Sequence, residues 1–298
     1  MRLHHHRRYR LCRQFPLLLL CLFAAHQAGA APLRVFTSIL PEEYLAARVG
    51  GSRIQAQSLV QPGHNPHTYA PTPRQMAELA GARIFFRIGI PFEEALIAKL
   101  RRTVPDLTII DLREGIDLLR LKDADEDHDE HAGDLDPHTW LDPNLALRQA
   151  EHMHAALIAI DPAGREEYDR NLAALADDLH RLDQTLRTIL APLAGRTIYV
   201  FHPAYGYFCR AYNLQQKAIN ALGKETGARH LARIIEEAKA DGVRIIFVQP
   251  EFSEKTAAAI ARSIDGSVVA LDPLAREYLT NMEAMARQIA ASQAGTTR

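Results

Sequence analysis

The chain has 298 residues, 47% of them hydrophobic and 24% charged, with a formal net charge of -1. That length exceeds what one compact core usually needs and sets two domains as the expectation. The near-neutral balance lacks the basic surface that a nucleic-acid partner calls for. The 14 histidines are the one unusual count.

Residues 1–30 read as a secretory signal. Arg7, Arg8, Arg10 and Arg13 give a positive start, residues 16–25 (PLLLLCLFAA) an apolar core, and Ala28-Gly29-Ala30 a small-x-small cleavage site. The apolar run is shorter than the about 20 residues a bilayer span needs. The mature chain is therefore expected to begin near Ala31 and to reside in the periplasm. Export removes Cys12 and Cys21, so Cys209 is left without a partner for an intramolecular disulfide. Burial is the expectation for its thiol.

Residues 31–161 alternate short apolar runs with helical patterns. Strands are expected at 34–39 (RVFTSI), 54–60, 83–88 (RIFFRI) and 107–111, with helices around 41–49, 73–80 and 92–102. Such alternation predicts an α/β domain with a mostly parallel sheet and helices on its faces. Within it, residues 122–136 (KDADEDHDEHAGDLD) are almost free of apolar side chains. They read either as a solvated loop or, through His128 and His131, as an auxiliary metal-gathering loop. Residues 162–191 form the most regular segment. Tyr168, Leu172, Leu175, Leu179, Leu182, Leu186 and Ile189 recur at steps of four and three, one narrow stripe along a linking helix. At about 1.5 Å per residue it spans on the order of 40 Å. Residues 192–298 repeat the α/β style, with strands at 197–201, 244–248 and 267–271 and helices at 228–241, 255–264 and 280–292.

Three histidines sit in proline-bearing turns: His67 in GHNPHTY (63–69), His138 in DPHTWLDP (136–143) and His202 in FHPAYGYF (201–208). Asp272 lies in LDPL (271–274). His202 and Asp272 each end a strand, where ligands of open α/β sheets gather. Spacing alone leaves each of these residues as either a satisfied polar side chain or a ligand, and does not bring the four together.

In its motifs and their order the chain resembles the cluster A-I metal-binding solute-binding proteins of ABC importers. The resemblance rests on a GxxPHxYxP turn at 63–71, the DPHxWLDP box at 136–143, the long helix, HPAYGYF at 202–208, VQPEFS at 248–253 and LDPL at 271–274. It covers essentially the whole mature chain. It implies two α/β domains joined by one long backbone helix, with a metal held in the cleft between them. His67 and His138 would come from the N-terminal domain, His202 and Asp272 from the C-terminal one. Some zinc-binding members place a glutamate before the first histidine. Pro66 stands there in this chain, which favours Asp272 as the fourth ligand. The resemblance further implies an ABC-type permease in the inner membrane as partner, with a periplasmic metal chaperone as a second candidate partner and a monomeric chain.

Three imidazoles and one carboxylate suit Zn(II), whereas manganese prefers more oxygen. Manganese-binding relatives place a glutamate where His202 stands, so His202 carries the zinc expectation. A manganese- or iron-binding subunit is the alternative within the family, and a zinc-dependent hydrolase the alternative outside it. Four protein ligands leave little room for a reactive water. HExxH, GxSxG and phosphate-loop motifs are absent. Capture rather than catalysis is expected. Around the ligands, His64 is either an outer-layer group or a solvent-facing turn residue. Asp142 either orients a histidine or caps the following helix, and Tyr205 is placed to shield the metal. His152, His154, His180 and His230 are expected to face water.

Overall fold

The computed structural model describes residues 31–121, 135–219 and 228–294. In the first half, β1 (Leu33–Thr37), β2 (Ile54–Ser58), β3 (Ile84–Arg87) and β4 (Thr108–Asp111) alternate with α1 (Leu40–Gly50), α2 (Pro73–Ala80) and α3 (Phe92–Thr103). The strands form one parallel sheet in the order β2-β1-β3-β4. The inner strands carry unbroken apolar runs, as strands covered on both faces must. Val35, Phe36, Ile84, Phe85 and Phe86 are all buried.

Two helices follow: α4 (Pro143–Ile160) and α5 (Arg165–Leu190). The second half then gives β5 (Thr197–Val200), α6 (Gly206–Ala211), β6 (Gln215–Ala218), α7 (Ala228–Ala240), β7 (Ile245–Val248), α8 (Glu254–Ser263), β8 (Ser267–Ala270) and α9 (Tyr278–Ala294). Its strands are again all parallel, in the order β6-β5-β7-β8, a repeat of the first topology. In both sheets the strand order reverses beside the first strand, so each has its crevice at the carboxyl ends of its two central strands.

The linking helix starts later than the sequence suggests. Pro162–Gly164 is a 3-10 turn, and the α-helix begins at Arg165. Asp161 explains the corner: its carboxylate accepts from Arg53 Nε at 2.7 Å and from the Tyr168 hydroxyl at 2.7 Å. The stripe on α5 is buried at Tyr168, Leu175, Leu179, Leu182 and Leu186. Leu172 and Ile189 are half-buried, at the margin of that stripe. It packs against α1, α4 and α9. One apolar core consequently runs from Val35 and Phe86 of the first sheet, past Leu179 and Leu186, to Ile198 and Phe247 of the second. The described residues from Pro32 onward form one compact unit for that reason.

Candidate metal centre

His67 sits in the 3-10 turn Pro66–Thr68 that follows β2. Asn65 opens the turn, and its side-chain oxygen accepts the His67 backbone N–H at 2.9 Å. Two residues on, the Tyr69 hydroxyl donates to the Leu59 carbonyl at 2.6 Å, which ties the turn to the end of β2.

His138 belongs to the turn before α4. Asp136 Oδ1 accepts both the His138 backbone N–H at 2.9 Å and its Nδ1–H at 2.6 Å. A carboxylate partner on Nδ1 sets the tautomer and leaves the Nε2 lone pair free to bind. Asp136 is itself held by its backbone, whose carbonyl accepts from the Tyr207 hydroxyl at 2.9 Å. Gln149 of α4 donates to Thr139 Oγ1 at 2.9 Å and steadies the same turn.

His202 follows β5 and is 2% exposed. Its backbone carbonyl accepts from Gln249 Nε2 at 3.0 Å, just past β7. Neither ring nitrogen has a hydrogen-bond partner. An unmade hydrogen bond at a buried polar atom costs about 1–3 kcal/mol, a cost that a metal ion or other partner at this ring would remove.

The three rings converge. Their centroids lie 4.7 Å apart for His67 and His202, 5.3 Å for His138 and His202, and 5.8 Å for His67 and His138. One nitrogen from each falls within 4.8 Å of the others, and this is the only such group of metal-ligating side chains among the described residues. Burial, with His138 beside it, holds His67 down to about 3. Burial first, then His67 and His138, hold His202 well below the ordinary imidazole value. Both rings are therefore neutral at physiological pH, the form in which an imidazole binds metal.

Asp272 follows β8, outside this tight group of nitrogens. Its Oδ1 accepts the Leu274 N–H at 2.8 Å, and its carbonyl accepts from Asn281 Nδ2 at 2.7 Å. Burial raises its pKa. Tyr205 is fully buried, and its hydroxyl donates to the Leu271 carbonyl at 3.0 Å. Glu251 stands beyond β7, and burial pushes its carboxyl up to about 7, with Asp272 adding to the shift. Neither Glu251 nor Asp136 stands out in the sequence as a site residue. The signal for Asp136 was its place two residues before a histidine in a proline turn.

The remaining candidates lie elsewhere. His64 is exposed, with Nδ1 3.4 Å from the Pro62 carbonyl and its ring edge-on to Tyr69. Asp142 caps α4, accepting from the Asn144 backbone at 2.9 Å and from its side chain at 3.2 Å, and among the described residues makes no hydrogen bond to an imidazole. His180 is exposed. His152 and His154 are half-buried, against the Glu114 carbonyl at 2.9 Å and Asp169 at 2.6 Å, rather than free in water. Cys209 is buried, which pushes its thiol far up. His128 and His131 lie outside the described residues.

The two halves are fastened to each other beside the imidazoles. Trp140 Nε1 donates to the Pro273 carbonyl at 2.8 Å, and the Tyr278 hydroxyl donates to the Trp140 carbonyl at 2.6 Å. The turn carrying His138 and the turn carrying Asp272 are thus stitched together by buried hydrogen bonds.

Known proteins resemble the chain in sequence and fold. A family model described as "Zinc-uptake complex component A periplasmic" matches residues 35–292. The high-affinity zinc uptake system protein ZnuA of Yersinia pestis is 26% identical over 276 residues, covering 85% of this chain and 86% of its own. A crystal structure of ZnuA superposes with a TM-score of 0.81 at 37% identity, covering 88% of this chain and 99% of its own. A ZnuA deletion mutant with zinc bound superposes equally well, at 0.81 and 37%, covering 88% of this chain and 98% of its own.

Proposed function

We propose, from the premise that the chain belongs to the family of periplasmic zinc-uptake component A proteins, that it captures Zn(II) outside the cytoplasm and delivers it to an ABC-type importer in the inner membrane. Members of the family are binding proteins, not enzymes. The single observation that carries the zinc assignment is the set of three converging imidazoles, with the buried and unpartnered ring of His202 among them. Nitrogen donors of this kind favour a borderline ion such as zinc over manganese or magnesium, which seek oxygen. His67, His138 and His202 would hold the ion, and Asp272 would supply the fourth donor and close the tetrahedron.

Each neighbouring residue then has a task. Asp136 keeps the His138 lone pair pointed at the ion. Burial keeps His67 and His202 free of protons, so zinc displaces none from them on arrival. The Trp140–Pro273 and Tyr278–Trp140 bonds keep the cleft nearly formed before zinc arrives. Binding then spends little on rearrangement. Delivery needs a membrane permease that takes the ion from the open side of the cleft.

The test is a zinc–manganese competition followed by calorimetry, on mature protein carrying no histidine tag. One zinc per chain, undisplaced by equimolar manganese, is expected. His202→Ala should lose more than the about 10- to 100-fold in affinity that outer-layer changes cost. Manganese preferred over zinc, with His202→Ala indifferent, would assign the cleft a different cargo.

A further inference from the structure

A cavity of about 270 Å³ is walled by Ile39 and Val60 from the first half and by Pro250, Glu251, Leu274 and Asp272, the fourth donor proposed above, from the second. Gly63, four residues before His67, is at its rim. Glu251 reaches it from the segment after β7, two residues beyond the Gln249 that donates to the His202 carbonyl. The segment carrying Glu251 is therefore fixed to the one carrying His202.

The Glu251 carboxylate is half-buried, and among the described residues no other side chain hydrogen-bonds or ion-pairs with it. Its electrostatic neighbours are Asp272 and Tyr205. The one guanidinium in the cavity lining, that of Arg276, is already paired with Glu43 at 2.7 Å. Two carboxylates thus share one cavity in which, among the described residues, neither is ion-paired. Gathering like charges out of water is unfavourable, and a divalent cation relieves it. Two flanks of the imidazole group are occupied: Phe252 lies against His202 with centroids 5.0 Å apart, and Trp140 against His138 at 5.3 Å. The cavity, by contrast, has the donor Asp272 in its wall.

We propose that Glu251 is a transient zinc ligand: the ion comes in and goes out between Glu251 and Asp272, and Glu251 lets go once the three imidazoles hold it. This rests on the zinc-capture function above. A four-coordinate ion exchanges slowly when a bond must break before another forms. An incoming donor allows a five-coordinate passage instead, which zinc accepts. Oxygen donors also suit a cation still carrying part of its water shell. The paired carboxylates concentrate cations at the mouth of the cleft.

Stopped-flow mixing tests this on the mature protein, with zinc taken up by the metal-free form and with zinc withdrawn from the loaded form by excess fluorescent chelator. In Glu251→Gln, uptake and withdrawal should both slow, by about tenfold if the donor weighs as much as an outer-layer partner. The affinity, being their ratio, should shift less than either rate. Glu251→Asp should restore part of both rates, which a merely structural role would not do. Exchange at wild-type speed in Glu251→Gln overturns the proposal. Faster withdrawal with unchanged uptake also overturns it, by making Glu251 a resident ligand. Normal zinc binding with unaltered exchange removes this proposal alone, whereas a wild-type chain that takes up no zinc removes the zinc-capture function and this proposal with it.

Discussion

His67 and His202 are neutral imidazoles in places that penalise charge, and this has a measurable cost in the metal-free protein. The ordinary value for His67 is 6.5 and its folded value is about 3. Between those values the unfolded chain takes up a proton that the folded chain refuses, so stability falls as pH drops below 6.5 and is untouched above it. Urea unfolding of zinc-free protein at pH 7.5 and pH 5 should show the loss, up to about 1.4 kcal/mol per pH unit for each such ring. An unchanged midpoint would mean that the rings are solvated. Asp136 offers a second prediction: Asp136→Ala frees the His138 ring to turn, and zinc affinity by calorimetry should fall about 10- to 100-fold. The three histidines stand in distinctive proline turns, but only the family resemblance groups them, because spacing does not bring residues so far apart in sequence together. Asp136 was not legible, because an aspartate before proline also reads as a plain turn former, and only the folded ring orientation reveals the bond to Nδ1. Glu251 was hidden for a similar reason, since an acid after a strand looks solvated until the opposite half covers it.

Individual elements translate these roles into backbone. Gly206 opens α6, and a Cβ built there would meet Asp136 Oδ2 at 2.7 Å. The glycine in HPAYGYF is therefore a clearance for the carboxylate that orients His138. Gly206→Ala should displace that carboxylate, weaken zinc binding in the same direction as Asp136→Ala, and cost about 1–3 kcal/mol of stability through overpacking. Calorimetry together with urea unfolding reads both effects. On α5, Leu179→Ala removes a side chain that is 1% exposed and should cost about 2–5 kcal/mol in urea unfolding. The stripe on α5 was readable because its period is carried entirely by apolar residues. β6, whose sequence is QQKA, was not, because an edge strand needs no apolar alternation once its neighbour β5 supplies the hydrogen bonds.

At the scale of the molecule, two parallel sheets of the same topology share a core through α5 and are stitched across the cleft by Trp140, Tyr278 and Pro273. The α/β alternation announced both sheets. It did not announce the common core, because which helix face meets which sheet depends on contacts more than a hundred residues apart in sequence. A shared core resists hinge bending, so small-angle scattering of metal-free and zinc-loaded protein should give closely similar radii of gyration. A large closure would show that the fastenings release on binding.

The most direct measurement is X-ray absorption at the zinc edge on mature, untagged protein loaded with one equivalent of zinc. A four-coordinate shell is predicted, with three imidazole nitrogens at about 2.0–2.1 Å and one oxygen, reduced by one imidazole in His202→Ala. An oxygen-rich six-coordinate shell without imidazole scattering would contradict the assignment of this cleft as a zinc-capture site.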